Sequence, residues 1–114
     1  MALTFTVSDL VRQNIGSARL HTGTITCSGT NSDDGDAITA AALGLNTIVQ
    51  LSLEPALDST SNPENAFLPV WRSAAGKVVF YTAHGTPGGA VPLLQVTDAT
   101  TLTDYAMRFS AVGN

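Results

Sequence analysis

Leu3-Thr4-Phe5-Thr6-Val7 alternates apolar and polar side chains, the period-two pattern of a strand with one buried face. Ser8-Asp9 offers a turn. Leu10 to Gln13 reads as a helical turn or a continued edge strand, and Asn14 and Gly16 mark a second turn. Ser17 to Ser28 is a long β segment rich in Thr and Ile. Ala18 and Leu20 fall on one face and Ile25 and Cys27 on the other, so a bulge at Gly23 is predicted to switch the phase. After the polar stretch Gly29 to Asp36, Ala37 to Leu43 predicts a short helix, with Asp36 or Thr39 as cap and Gly44 as its stop. Thr47 to Leu53 is the clearest strand. Its pattern puts Val49, Leu51 and Leu53 on one face, and Pro55 ends it.

Beyond a polar loop at Asp58 to Asn65, Phe67 to Arg72 and Lys77 to Thr82 predict a hairpin. Its link, Ser73-Ala74-Ala75-Gly76, has glycine where positive φ is needed. Pro69 lacks an amide donor, which confines its strand to a sheet edge or a bulge. His84 to Ala90 reads as a loop around Pro87-Gly88-Gly89. Val91 to Thr97 and Thr101 to Val112 are the last strands, with Tyr105, Met107, Phe109 and Ala111 sharing a face. The expected fold is therefore all-β: an antiparallel β-sandwich or jelly-roll-like barrel of about seven to eight strands with one short helix. The chain is read as one domain over residues 1–114, with residues 1–8 as a candidate N-terminal arm.

Charge sharpens this reading. Only 12% of the residues are charged, against about 25% in ordinary soluble domains. Lys77 is the single lysine, the arginines are scattered, and the net charge is −4. Nucleic-acid binding, which needs a basic stripe, is thereby disfavoured. Ala, Thr, Ser and Gly take the place of the missing charge, and interface centres show the same depletion of Lys, Glu and Asp. A surface of this kind is expected to be covered by partner subunits. No apolar run reaches the roughly 18 residues of a membrane span, and Met1 to Thr6 lacks the basic start of a secretory signal. Synthesis and folding in a cytoplasm are expected. Cys27 is the one cysteine, and its setting between strand-forming residues suggests a small buried hydrophobe.

Candidate chemistry is sparse. Asp33-Asp34-Gly35-Asp36 offers oxygens to a hard cation but lacks the alternation and distant glutamate of an EF-hand, so a solvated turn is the better reading. His21 and His84 have no His-x-His or His-x3-His spacing, and no Gly-x-Ser-x-Gly marks a nucleophile. Gly85-Thr86-Pro87-Gly88-Gly89 lacks the ending of a phosphate loop. No catalytic, metal or cofactor site is expected. Trp71 suits a core or subunit interface better than a sugar platform, although a carbohydrate-binding sandwich centred on Trp71 and Tyr81 is an alternative.

Three segments together resemble the capsid decoration, or cement, proteins of tailed phages. One is Met1 to Val7 with Gly16-Ser17-Ala18-Arg19 and Gly23-Thr24-Ile25-Thr26. Another is Gly35-Asp36-Ala37-Ile38-Thr39-Ala40-Ala41-Ala42-Leu43-Gly44-Leu45 with Ile48 opening a strand. The last is Gly76-Lys77-Val78-Val79-Phe80-Tyr81 with the ending Met107 to Asn114. Ala42 stands where the pattern has an acidic residue, and Asp58 to Asn65 is longer. The resemblance implies a jelly-roll or sandwich fold without catalysis that binds the outer surface of a capsid through the major capsid protein. It also implies self-association, a trimer before a dimer. Another virion position, in tail, neck or baseplate, is the nearest alternative. Contact residues are expected in the N-terminal segment (Leu3, Phe5, Val7), in the loops at Asp33, Asp34 and Pro87, and at Trp71.

Overall fold

The computed structural model describes the chain except residues 1, 33, 61–65, 84–92 and 97–98. Two antiparallel sheets stack around one core, a β-sandwich. The first comprises β1 (Thr4–Ile15), β2 (Ala18–Ser28), β8 (Ala106–Gly113) and β4 (Ile48–Leu53), in that spatial order. In the second, β6 (Lys77–Ala83) is flanked by β5 (Leu68–Arg72) on one side. On the other side lie β3 (Asp36–Ala37) and β7 (Leu93–Gln95), at different heights.

Alternation drives this arrangement. On β2, His21, Gly23, Ile25 and Cys27 point inward, and on β8 Met107, Phe109, Ala111 and Gly113 do. From the second sheet Val78 and Phe80 complete the core. Burying a side chain such as Phe80 or Ile25 contributes about 1.5–3 kcal/mol. Phe67 stacks on Tyr105 with ring centroids 5.1 Å apart, adding to the seam between the sheets.

The phase switch occurs on β1, not on β2. Ser8 lies opposite Thr24 and Val11 opposite Thr22, so Asp9 and Leu10 together face Gly23. Asp9 takes a φ of 54° at this bulge. Inward positions thus run Leu3, Phe5, Val7 and then Leu10, while β2 alternates without interruption. Ala18 and Leu20 lie on the outer face because their strand never changes phase. Residues 4–8, expected within an N-terminal arm, instead begin β1 and pair with Ser28 to Thr24. Their alternating pattern satisfies a sheet better than a free segment. Two-residue loop Gly16-Ser17 closes the hairpin, with Gly16 at φ 60° in its first central position.

The helix expected over Ala37 to Leu43 is only the 3-10 turn Ala41–Leu43. Asp36 and Ala37 are drawn into β3 against Val78 and Lys77, and Ile38 N–H donates to Gly76 O at 3.2 Å. These tertiary bonds hold extended backbone that alanine propensity alone would coil. Gly44 does stop the turn, in the left-handed region at φ 76°. Thr39 Oγ1 accepts from Ala42 N–H, whereas Asp36 Oδ2 turns the other way and accepts from Ser32 N–H. On β4, a register shift between Ile48 and Gln50 leaves Val49 71% exposed, so it does not share the inward face of Leu51 and Leu53.

One corner knits the sheets together. Leu57 exchanges backbone hydrogen bonds with Ala106, and Ala56 with Phe67. The chain leaving β4 therefore extends the first sheet at one residue and the second sheet at its neighbour. Pro69 sits, buried, on the edge strand β5, as its missing amide requires.

Candidate functional site

Two surfaces stand out. The first follows from Thr and Ser at alternate positions of β1 and β2, over residues 4–8 and 22–28, continued by Ser110 on β8 and Ser52 on β4. Thr4 pairs with Ser28, and Thr6 with Thr26. Ser8, Thr24 and Arg108 form a row, as do Thr22, Ser110 and Ser52. These side chains give the middle of the outer face short hydroxyls, while toward the β1–β2 turn the same face is apolar, with Val11 52% and Ile15 54% exposed. Its one described ion pair joins Arg108 to Glu54 at 3.9 Å, with both side chains about two-thirds exposed. Such a pair contributes roughly 0–1 kcal/mol and leaves the face nearly neutral. Beside it a depression of about 440 Å³ lies among Glu54, Pro55, Leu57, Ala66, Ala106 and Arg108.

The second surface is a groove of about 250 Å³ along the edge of β1. Leu3, Phe5 and Val7 form one wall, Ile38, Thr39 and Leu43 the other, and Ile25 contributes to its lining. No ionisable side chain lines it. The far wall is held by His21, which is 1% exposed. Its Nδ1 donates to Leu43 O at 2.8 Å, because a carbonyl can only accept. His21 therefore braces the 3-10 turn from within the core.

The expected contact residues divide. Leu3, Phe5 and Val7 come together at the groove, although Leu3 is 8% exposed and belongs to the core, with Phe5 and Val7 half-buried. Asp34 is exposed, and its N–H meets Ser32 Oγ at 3.4 Å. Trp71 is half-buried and packs against the core from the inward face of β5. Asp33 and Pro87 lie outside the described residues, as do His84 and Asp98. Trp71 pairs with Val78 and Tyr81 with Leu68, so Trp71 and Tyr81 stand on opposite faces of their sheet and cannot form one stacking platform.

Cys27 and Asn31 serve the core. Burial pushes the Cys27 thiol up to about 12, and the Asp36 carboxylate adds to the effect. Burial and Asp58 raise the Tyr105 hydroxyl above its ordinary value. Asn31 locks the segment before β8: its Oδ1 accepts from Thr100 N–H at 2.8 Å and its Nδ2 meets Val96 O at 3.4 Å. Among the described residues no group of three metal-binding side chains converges, and no helix is long and apolar enough to cross a membrane.

The wall formed by Ile38, Thr39 and Leu43 was not foreseeable as part of a site, since it depends on a tertiary contact with β1. The hydroxyl face had a legible signal in Thr22-x-Thr24-x-Thr26 and Thr4-x-Thr6-x-Ser8. Protein-family models, curated proteins and solved structures give no match to this chain.

Proposed function

We propose that this chain is a capsid decoration protein, a non-catalytic module that seats the outer face of its first sheet on an assembled shell of major capsid protein. The observation that carries the reading is the hydroxyl face itself: a broad sheet surface, almost without charge, on a chain that is 12% charged overall. A solitary soluble protein gains solubility from scattered charge, whereas an interface centre loses stability from it because each ion must be desolvated. Short Thr and Ser side chains lose little rotamer freedom on contact and offer both donors and acceptors to a facing backbone. Across many copies, modest contact area at each seam sums to a large barrier against rupture of the shell. The one thiol and the one described histidine are both enclosed, which leaves the exposed surface to recognition.

Co-sedimentation with shells stripped of this protein tests the reading. Ser52→Lys and Ser110→Lys place charge on exposed positions of the face, where each should alter folding stability by no more than about 0.5 kcal/mol. Saturable binding by the parent chain and loss of binding by both variants is the expected result. Failure of the parent chain to bind, or equal binding by the variants, refutes it.

A further inference from the structure

We propose that the open edge of β1 pairs with the same edge of a second copy of this chain, antiparallel about a two-fold axis through Thr6. This joins two four-stranded sheets into one continuous sheet. The inference goes beyond shell binding and stands whether or not the hydroxyl face meets a capsid.

The edges of the two sheets are not equally protected. β4 carries a register shift, and the chain leaving it bridges through Leu57 to Ala106 of β8 and through Ala56 to Phe67, just ahead of β5. β5 contains Pro69 and ends at Arg72, and β3 is two residues long. These are common ways to keep a sheet edge from pairing. Thr4 to Ser8 has none of them: no proline, no charge, no bulge until Asp9, and among the described residues no strand on its outer side. Its backbone groups on that side form a ready template for an added strand.

The groove sets the chemistry of that strand. Side chains entering it must be apolar at alternate positions and uncharged, since Leu3, Phe5, Val7, Ile25, Ile38 and Leu43 provide the apolar lining. β1 of a second copy meets this demand with its own Phe5 and Val7. With Thr6 opposite Thr6 of the second copy, Phe5 of each chain faces Val7 of the other on the groove side. Thr4 likewise faces Ser8 on the hydroxyl side. Aromatic with β-branched pairs and hydroxyl pairs are both favourable across strands. Neither copy brings an ionised group to Thr4–Ser8, so no charge is desolvated within the paired segment. Pairing stops at the Asp9 bulge, which fixes the register and prevents further growth. An isologous contact of this kind closes as a dimer.

Light scattering on the size-exclusion peak tests this. At about 100 μM the parent chain should elute at twice its 11.8 kDa mass and dissociate on dilution. Thr6→Lys sets like charges directly opposite and should weaken dimerisation tenfold or more, roughly, with the melting temperature that the parent chain shows when diluted to monomer. An equimolar mixture of T6K and T6E should regain the dimer. Thr6→Cys should form an intermolecular disulfide under mild oxidation, while buried Cys27 stays reduced. If T6K melts below the diluted parent, the T6C crosslink decides in its place. A monomer or trimer of the parent chain, a dimer unaffected by T6K, or no T6C crosslink overturns the proposal. None of these results bears on co-sedimentation with shells, so the two ideas can fail separately.

Discussion

Gly23→Ala probes the most consequential local feature of the fold, the place where the β1 bulge presses on β2. A β-carbon at Gly23 would lie 2.9 Å from Ser8 O and 3.0 Å from Phe109 Cε1. One neighbour is backbone held by the β1–β2 ladder and the other is a ring that is 3% exposed in the core, so neither can yield freely. Overpacking of this kind costs about 1–3 kcal/mol. Replacing a strand glycine by alanine returns about 0.5–1 kcal/mol through the unfolded chain. With backbone on one side and a buried ring on the other, the cost falls in the upper part of that range, and the expected net loss is about 1–2 kcal/mol. Urea unfolding followed by Trp71 fluorescence measures it. With a slope of about 2 kcal/mol/M, the midpoint should fall by roughly 0.5–1 M. Phe109→Leu should relieve part of the cost, so the double variant should be more stable than the sum of the single losses implies. Gly76→Ala is the control: nothing lies within 4 Å, and only the φ of 67° opposes it. If Gly23→Ala is neutral, or if Phe109→Leu shows no coupling to it, the account of the bulge is wrong.

Further outcomes follow from the core. Cys27 ionises in the unfolded chain near its ordinary value of 9.0 but in the folded chain only near about 12. Its contribution is therefore whole below pH 9 and declines as pH rises toward 12, by up to about 4 kcal/mol. Chemical denaturation against pH should accordingly show a flatter alkaline limb for Cys27→Val than for the parent, and parallel limbs would contradict the burial argument. His21→Leu strips the donor from buried Leu43 O and should destabilise by about 1–3 kcal/mol. Hydrogen exchange should also quicken at Gly44 and Leu45, and unchanged exchange would remove the bracing role. Gly113→Ala drives a β-carbon into Thr47 O and should sever the Asn46–Asn114 backbone bond. Faster exchange at Asn46 with a loss of about 1–3 kcal/mol is expected, and an unperturbed amide would count against that packing.

Much of the fold was legible because strands announce themselves with a period of two. β2, β8, the β5–β6 hairpin with Gly76 at its turn, and the edge placement of Pro69 all follow from residues adjacent in sequence. The misplaced features depend on partners far away in the chain. Glycine marks bulges, so the sequence points to Gly23 for the phase switch, yet the extra residue sits on β1, where Asp9 accepts positive φ; only the register of the pair reveals which strand is longer. Val49 belongs to a regular alternation on paper and leaves it through a slip against β8. Ala37 to Ala42 favours helix until Gly76 and Val78 claim its first residues for a sheet. The site divides in the same way. Leu3, Phe5 and Val7 could be named from alternation, but their groove exists only because Ile38 to Leu43 folds over β1. Trp71 and Tyr81 looked like partners until pairing put them on opposite faces.

A cryo-EM map of particles that carry this protein tests the central claim most directly. The account predicts many copies spread over the outside of the shell, with Thr22, Thr24 and Ser110 turned toward the major capsid protein. Density confined to a tail or neck, or copies that meet the shell through another face with these hydroxyls in open solvent, would contradict it.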